Sequence, residues 1–163
     1  MRRMYSENQL LKAIEKESAE NGIKVFEDIK DKDGHARFID GIGEPVSQEG
    51  IETTYCKWSL SGSHLLIVLA GNVANTTVVS YNTWLMKINN LPEWIKSKII
   101  NTFGNIVEQK TCTFYHTDGT TQSIAVGFSK TTSNIGIITT GSSVTLSKDR
   151  SFRIAFDLLI DND

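Results

Sequence analysis

The sequence has few of the features that would assign it to a chemical class. Only two of its 163 residues are cysteines, Cys56 and Cys112, which are too few for a disulfide framework or a cysteine-based metal site. Both occur in apolar stretches, which favours buried free thiols over a bridge between them. The longest apolar run, from residue 65 to residue 70, is much shorter than the ~20 residues that cross a membrane. We therefore predict no membrane insertion.

The charge of the sequence argues against a polyanionic partner. The formal net charge is -2, and the sequence contains no basic block. Nucleic-acid binding and attachment to an anionic membrane both depend on clustered positive charge, so neither is expected. Two arginines near the start are followed by charged residues rather than by an apolar core, so we expect no signal peptide.

Catalytic motifs are also missing. The sequence has no Gly-x-Ser-x-Gly turn and no glycine-rich phosphate loop. None of the three histidines, His35, His64 and His116, has a second histidine at the spacing that places two metal ligands on one element. We predict a protein that is not an enzyme and has no catalytic residue, metal or cofactor.

One acidic stretch superficially resembles a calcium-binding loop. Asp31 and Asp33 would match two of its ligand positions, but Ile29 stands where the first oxygen ligand belongs. We interpret this stretch as a solvated acidic turn.

The first fifty residues divide into two parts. Ser6 and Gln9 have capping-box spacing, and Leu10, Leu11 and Ile14 follow at helical spacing, which predicts an amphipathic helix within residues 1–20. Its apolar stripe suits association or attachment, or packing on its own domain. Residues 21–50 are rich in turn residues and predict a connector with at most one or two short strands.

From residue 51 onwards the composition is that of a β-domain. Thr, Val, Ile and aromatic residues alternate with polar ones between turn signals every eight to twelve residues, and the segment 152–160 has the most regular alternation. Pro92 predicts the start of a short helix that closes near Phe103. We predict an all-β fold: an antiparallel, jelly-roll-like β-sandwich of eight or nine strands spanning residues 51–163, with an N-terminal and one interior helix.

The apolar run from residue 65 to residue 70 raises a question of burial. On a strand, Leu66 and Val68 face away from their neighbours Leu65 and Ile67, so both faces require cover. The second face is covered either by the helix near Pro92 or by another copy of the chain. For an oligomer, the predicted interface residues are Leu10, Leu11, Ile14, Leu66 and Val68.

A hairpin turn supplies the candidate ligand site. Asp118-Gly119 between two alternating segments favours a two-residue turn with positive φ. Tyr115, His116 and Asp118 lie at its mouth, where loops project from the scaffold. These three residues are the predicted ligand-binding set.

Three segments resemble a known group of proteins. The opening MRRMYSENQL, the central LAGNVANTT with Leu91–Trp94, and the closing FRIAFDLLID are similar to small proteins from phages and prophages of Firmicutes. The resemblance implies a tail-fibre or baseplate receptor-binding head, often trimeric, that contacts host-surface glycans.

The resemblance also implies a virion location, synthesis in the bacterial cytoplasm, and other tail proteins as partners.

Two other functions remain as alternatives to a receptor-binding head. One is an assembly or adaptor protein without a small ligand, and the other is a cell-wall polysaccharide hydrolase that uses Asp157 or His116.

Overall fold

The computed structural model describes residues 29–161. The predicted N-terminal helix, and with it Leu10, Leu11 and Ile14, lies outside the described residues. The described residues contain eleven strands and one short helix, in chain order: β1 Phe38–Ile42, β2 Pro45–Ser47, β3 Ile51–Ser61, β4 His64–Val73, β5 Thr77–Val79, β6 Trp84–Ile88, α1 Glu93–Lys96, β7 Ile106–Tyr115, β8 Thr121–Lys130, β9 Ile135–Thr139, β10 Val144–Leu146 and β11 Ser151–Leu159.

Nine of these strands form one antiparallel sheet, in the order β1-β3-β4-β11-β7-β8-β9-β6-β2, and β10 pairs with β5 in a second, small sheet. The large sheet curls until its ends approach each other. The side-chain amide of Asn90, just after β6, donates to the Ile42 carbonyl of β1 at 2.7 Å, and the Ser47 hydroxyl of β2 lies 2.7 Å from that of Thr53 in β3. The predicted all-β, sandwich-like class is confirmed.

The two strands β1 and β2 come from the segment that we predicted as a connector. Both pair with strands of the large sheet, β1 with β3 and β2 with β6. Gly41 is required in β1 because a Cβ there would lie 2.1 Å from the Trp58 ring. The connector therefore contributes two short strands to the large sheet.

The hydrophobic core lies inside the curled sheet. Side chains alternate between the two faces of each strand, and this alternation determines which residues enter the core. On β11, Phe152, Ile154, Phe156 and Leu158 are all buried, whereas Leu159 is 54% exposed. The neighbouring strand β4 buries the odd-numbered side chains from Leu65 to Leu69 in the same way. Facing side chains from the two halves of the curled sheet thus fill one continuous core.

Helix α1 is a single turn and shorter than predicted. Pro92 precedes it as expected, and Ile95 is fully buried in the core. Beyond it the chain joins the end of β11, because Ile100 donates its N–H to the Leu159 carbonyl at 3.0 Å. This strand-like pairing ends the helical segment well before Phe103.

The alternation on β11 makes a stability prediction with an internal control. Leu158→Ala should lower the free energy of unfolding by about 2–5 kcal/mol because it leaves a cavity in the core. Leu159→Ala, the same substitution on the opposite face, should change it by about 0.5 kcal/mol or less. Urea unfolding at low protein concentration measures both. Equal losses would show that the register of β11 is wrong.

Candidate functional site

The predicted ligand-binding residues meet at the β7–β8 turn, residues 116–120. The Gly119 N–H donates to the His116 carbonyl at 2.9 Å, the His116 N–H donates to the Thr120 carbonyl at 3.0 Å, and Gly119 has φ 87°. These bonds leave three residues in the loop, with glycine in the left-handed position. Asp118-Gly119 does form the turn, but the loop has three residues rather than the two that we predicted.

The Asp118 carboxylate is occupied within this turn. It accepts hydrogen bonds from the Thr120 N–H at 2.8 Å and the Thr120 hydroxyl at 2.6 Å, and the His116 Nδ1 lies 3.0 Å away. The hydrogen bonds from Thr120, together with the weaker influence of His116, lower the pKa of Asp118 to about 2. One carboxylate oxygen thus fixes the turn, and Asp118 is an anion at neutral pH.

A fourth residue, Arg150, joins this cluster. Its two terminal nitrogens donate to the Thr120 carbonyl at 2.9 Å and the Thr120 hydroxyl at 3.1 Å. Sequence reasoning missed Arg150, because it follows β10 and only the sheet topology brings it to the turn. Tyr115 is 58% exposed beside it. The cluster presents an aromatic ring and a carboxylate to solvent beside a partly buried guanidinium, a combination suited to polar, hydroxyl-bearing ligands.

A second candidate surface is the outer side of β1, β3, β4 and β11, here called the outer face. Registers between these strands place Leu66 opposite Ser59 and Asp157, and Val68 opposite Lys57 and Ala155. Leu66 is 43% exposed and Val68 is half-buried. The exposed apolar residues of the outer face are Phe38, Ile42, Tyr55, Leu66 and Leu159.

The outer face carries a groove of about 420 Å³, lined by Asp40, Gly41, Ile42, Tyr55, Lys57, Trp58, Ser59, Leu66 and Val68. No residue of α1 is in this lining. The helix near Pro92 therefore does not cover Leu66 and Val68, and it packs its Ile95 side chain into the core instead. The Trp58 ring belongs to the core, and its indole N–H has no hydrogen-bond partner among the described residues.

Asp31, Asp33 and His35 form a cluster of three possible metal ligands, with ligand atoms within 4.8 Å of one another. Asp31 is 2% exposed, so the prediction of a solvated turn is wrong for this residue. Its carboxylate accepts hydrogen bonds from the backbone N–H groups of Asp33, at 2.9 Å, and His35, at 2.8 Å, and forms an ion pair with Lys98. The lysine ammonium already supplies the positive charge that a metal would bring.

The Asp31–Lys98 pair fastens the turn at residues 31–35 to the segment after α1. Burial alone would raise the pKa of Asp31, but the hydrogen bonds from Lys98, His35 and Asp33 outweigh it and lower the pKa to about 2. The His35 ring stacks on Trp94 at 4.3 Å. The ion pair and the ring stack give this cluster a structural role, since they hold the turn against the segment around α1.

Two further sets of residues with potential chemistry are the cysteines and the His64–Asp157 pair. Cys56 and Cys112 are buried free thiols, as predicted, and burial raises their pKa values to about 11 and about 12. Neither is a reactive nucleophile in this environment. His64 and Asp157, whose Nδ1 and Oδ1 atoms lie 3.1 Å apart, form a mostly exposed surface pair on the outer face.

Comparison with protein-family models, with curated proteins and with solved structures found no significant match. No helix within residues 29–161 has the length and apolarity to span a membrane.

The Asp31–Lys98 pair predicts a specific pH dependence. Because the pKa of Asp31 falls from 3.8 to about 2 on folding, its contribution is present above pH 4 and is lost as the pH falls through 2. Asp31→Asn leaves Lys98 without its counter-charge and should cost about 3 kcal/mol of unfolding free energy near pH 7. This difference from the wild type should shrink by about 2 kcal/mol between pH 4 and pH 2.

Thermal or urea unfolding across this pH range measures the effect. Asp33→Asn is the matched control, because the exposed Asp33 contributes only its backbone N–H to the turn. A cost for Asp33→Asn equal to that of Asp31→Asn, or a difference that does not change with pH, would contradict the assignment.

Proposed function

We propose that this chain is a non-enzymatic structural or receptor-binding protein of a phage tail or baseplate. It acts as a homo-oligomer, with a trimer favoured, and contacts a host-surface saccharide through loops at the end of its sandwich. The tail context follows from the resemblance to small phage and prophage proteins.

Self-association rests on one observation, the open outer face. Leu66, predicted as an interface residue, is 43% exposed there, with Phe38, Ile42 and Tyr55 on the neighbouring strands. Apolar side chains contiguous across several strands are typical of interaction surfaces, whereas single exposed ones are not. The charged residues interspersed among them, Asp40 and Lys57, are of opposite sign and suit a self-complementary contact.

Saccharide binding is supported by the residues at the β7–β8 turn. Tyr115 provides an exposed ring on which a sugar can stack, and the Asp118 and Arg150 side chains provide hydrogen-bonding groups of both signs nearby. All three lie at the end of the sandwich, away from the centre of the outer face.

Leu66→Glu should reduce the mass of the assembly. A buried, unpaired carboxylate at the centre of the interface costs several kcal/mol, so the variant should run as a single 18.2-kDa chain where the wild type runs as an oligomer. Multi-angle light scattering coupled to gel filtration measures the mass.

Val78→Glu is the matched control for this substitution. Val78 is 55% exposed but lies in the small sheet, away from the outer face. It should keep the wild-type mass. A wild type that is monomeric at micromolar concentration would remove the main support for the proposed function, and equal loss of mass in both variants would remove the role of Leu66.

Tyr115→Ala should weaken saccharide binding by about fivefold or more without changing the oligomer, because a stacked ring contributes about 1 kcal/mol or more per contact. A glycan array probed with wild type and variant measures this. Tyr81, which is 65% exposed and lies outside residues 115–120, provides the control Tyr81→Ala. An intact oligomer that binds no glycan would favour an assembly or adaptor protein without a small ligand.

A further inference from the structure

A polar recess of about 340 Å³ lies at the α1 end of the sandwich, opposite the β7–β8 turn. Three segments build it: α1 with the residue after it, the loop from α1 to β7, and the last residue of β8 with the loop that follows it. Its lining residues are Glu93, Lys96, Ser97, Asn101, Asn105, Lys130, Thr131 and Thr132. Every one of them is polar, so the recess is lined with side chains that can hydrogen-bond a ligand.

Two lysine ammonium groups share this recess. Lys130 donates to the carbonyls of Ile99, at 2.7 Å, and Lys96, at 3.2 Å. Lys96 has a side chain only 12% exposed and reaches the Thr132 carbonyl at 3.4 Å. Burial and, secondarily, the charge of Lys96 lower the pKa of Lys130. Two positive charges are thus held close together and partly desolvated.

Their charge is not balanced by a tightly bound carboxylate. Within the lining, the only acid is Glu93, whose side chain is 81% exposed and whose Oε2 lies 4.0 Å from the Lys96 Nζ. Pairing at this distance and exposure is weak. Each ammonium has three N–H donors, and the contacts with described residues leave at least one donor free on each lysine.

Hydrogen bonds to backbone carbonyls explain the position of Lys130 better than that of Lys96, whose contact with the Thr132 carbonyl is long, at 3.4 Å. One ammonium is enough to bind the carbonyl oxygens at the end of α1, and a second like charge beside it adds repulsion between the two ammonium groups. A bound anion would turn that cost into a favourable contact with both lysines. The asparagine, serine and threonine side chains around them could bind the hydroxyl groups of a larger ligand.

We propose that this recess binds an anionic group such as phosphate, carried on a small, sugar-sized ligand, with Lys96 and Lys130 as the charge-binding residues. The site does not depend on self-association through the outer face or on the Tyr115 end. It therefore remains testable if the proposed function fails.

Isothermal titration of the full chain at low ionic strength tests the site with three probes: inorganic phosphate, glucose 6-phosphate and glucose. Saturable binding of both phosphate compounds is expected, with glucose 6-phosphate the tighter and glucose without measurable binding. Lys96→Gln should weaken binding by about tenfold or more, since a hydrogen bond between charged groups is lost.

Lys148→Gln is the matched control. Lys148 is exposed near the opposite end, and its substitution removes the same net charge. Lys130→Gln is a second variant at the site and should also weaken binding. Because Lys130 also binds backbone carbonyls, circular dichroism and unfolding curves that match the wild type are needed to show that this variant is folded.

Four outcomes would overturn the proposal. These are no saturable binding of either phosphate compound, binding weakened equally by Lys96→Gln and Lys148→Gln, binding of glucose as strong as that of glucose 6-phosphate, and binding of inorganic phosphate alone. In the last case the recess would bind only a counter-ion, and the proposal of a sugar-sized ligand would be wrong.

Discussion

The pairing of β4 with β11 is the constraint on which the rest of the structure depends. Its register joins the two strands over nearly their whole length, from Ser151 opposite Asn72 to Leu159 opposite His64. A shift of one residue would exchange the buried and exposed faces of a strand. Because Phe156 and Ile67 face the core, Ala155 and Val68 must face outwards, and the outer face is a direct consequence of the core.

This constraint also explains why both faces of β4 are apolar. Its inward residues pack against the rest of the curled sheet, and its outward residues Leu66, Val68 and Ala70 lie among neighbours that include Lys57, Asp157 and Arg153. An antiparallel sheet ordinarily places polar side chains on its solvent side. Leu66 is an exception, because it is apolar and 43% exposed on the solvent side. Since residues 29–161 leave it exposed, its apolar character favours a contact with something outside these residues.

Sequence reasoning could predict the elements whose signal is local. Alternation located β11, and the Asp118-Gly119 pair located the β7–β8 turn, although the loop length depended on a backbone hydrogen bond that composition does not encode. It could not predict contacts between segments that are far apart in the sequence. Asp31 and Lys98 are 67 residues apart, and Lys96 and Lys130 share a recess only because the β8–β9 loop folds back beside α1. For the same reason, the sequence did not indicate that Arg150 contacts the β7–β8 turn.

The outer face, the β7–β8 turn and the recess at the α1 end lie on different parts of the sandwich, which determines what an oligomer could expose to ligands. The strands of the outer face run from the α1 end to the β7–β8 turn, so association through that face would leave both ends of the sandwich free. If the copies were related by a rotation axis parallel to the strands, equivalent ends would point the same way. Tyr115 from each copy would then lie on one side and the Lys96 recesses on the other. Several weak saccharide contacts presented together bind far more tightly than one, so self-association and ligand binding would reinforce each other.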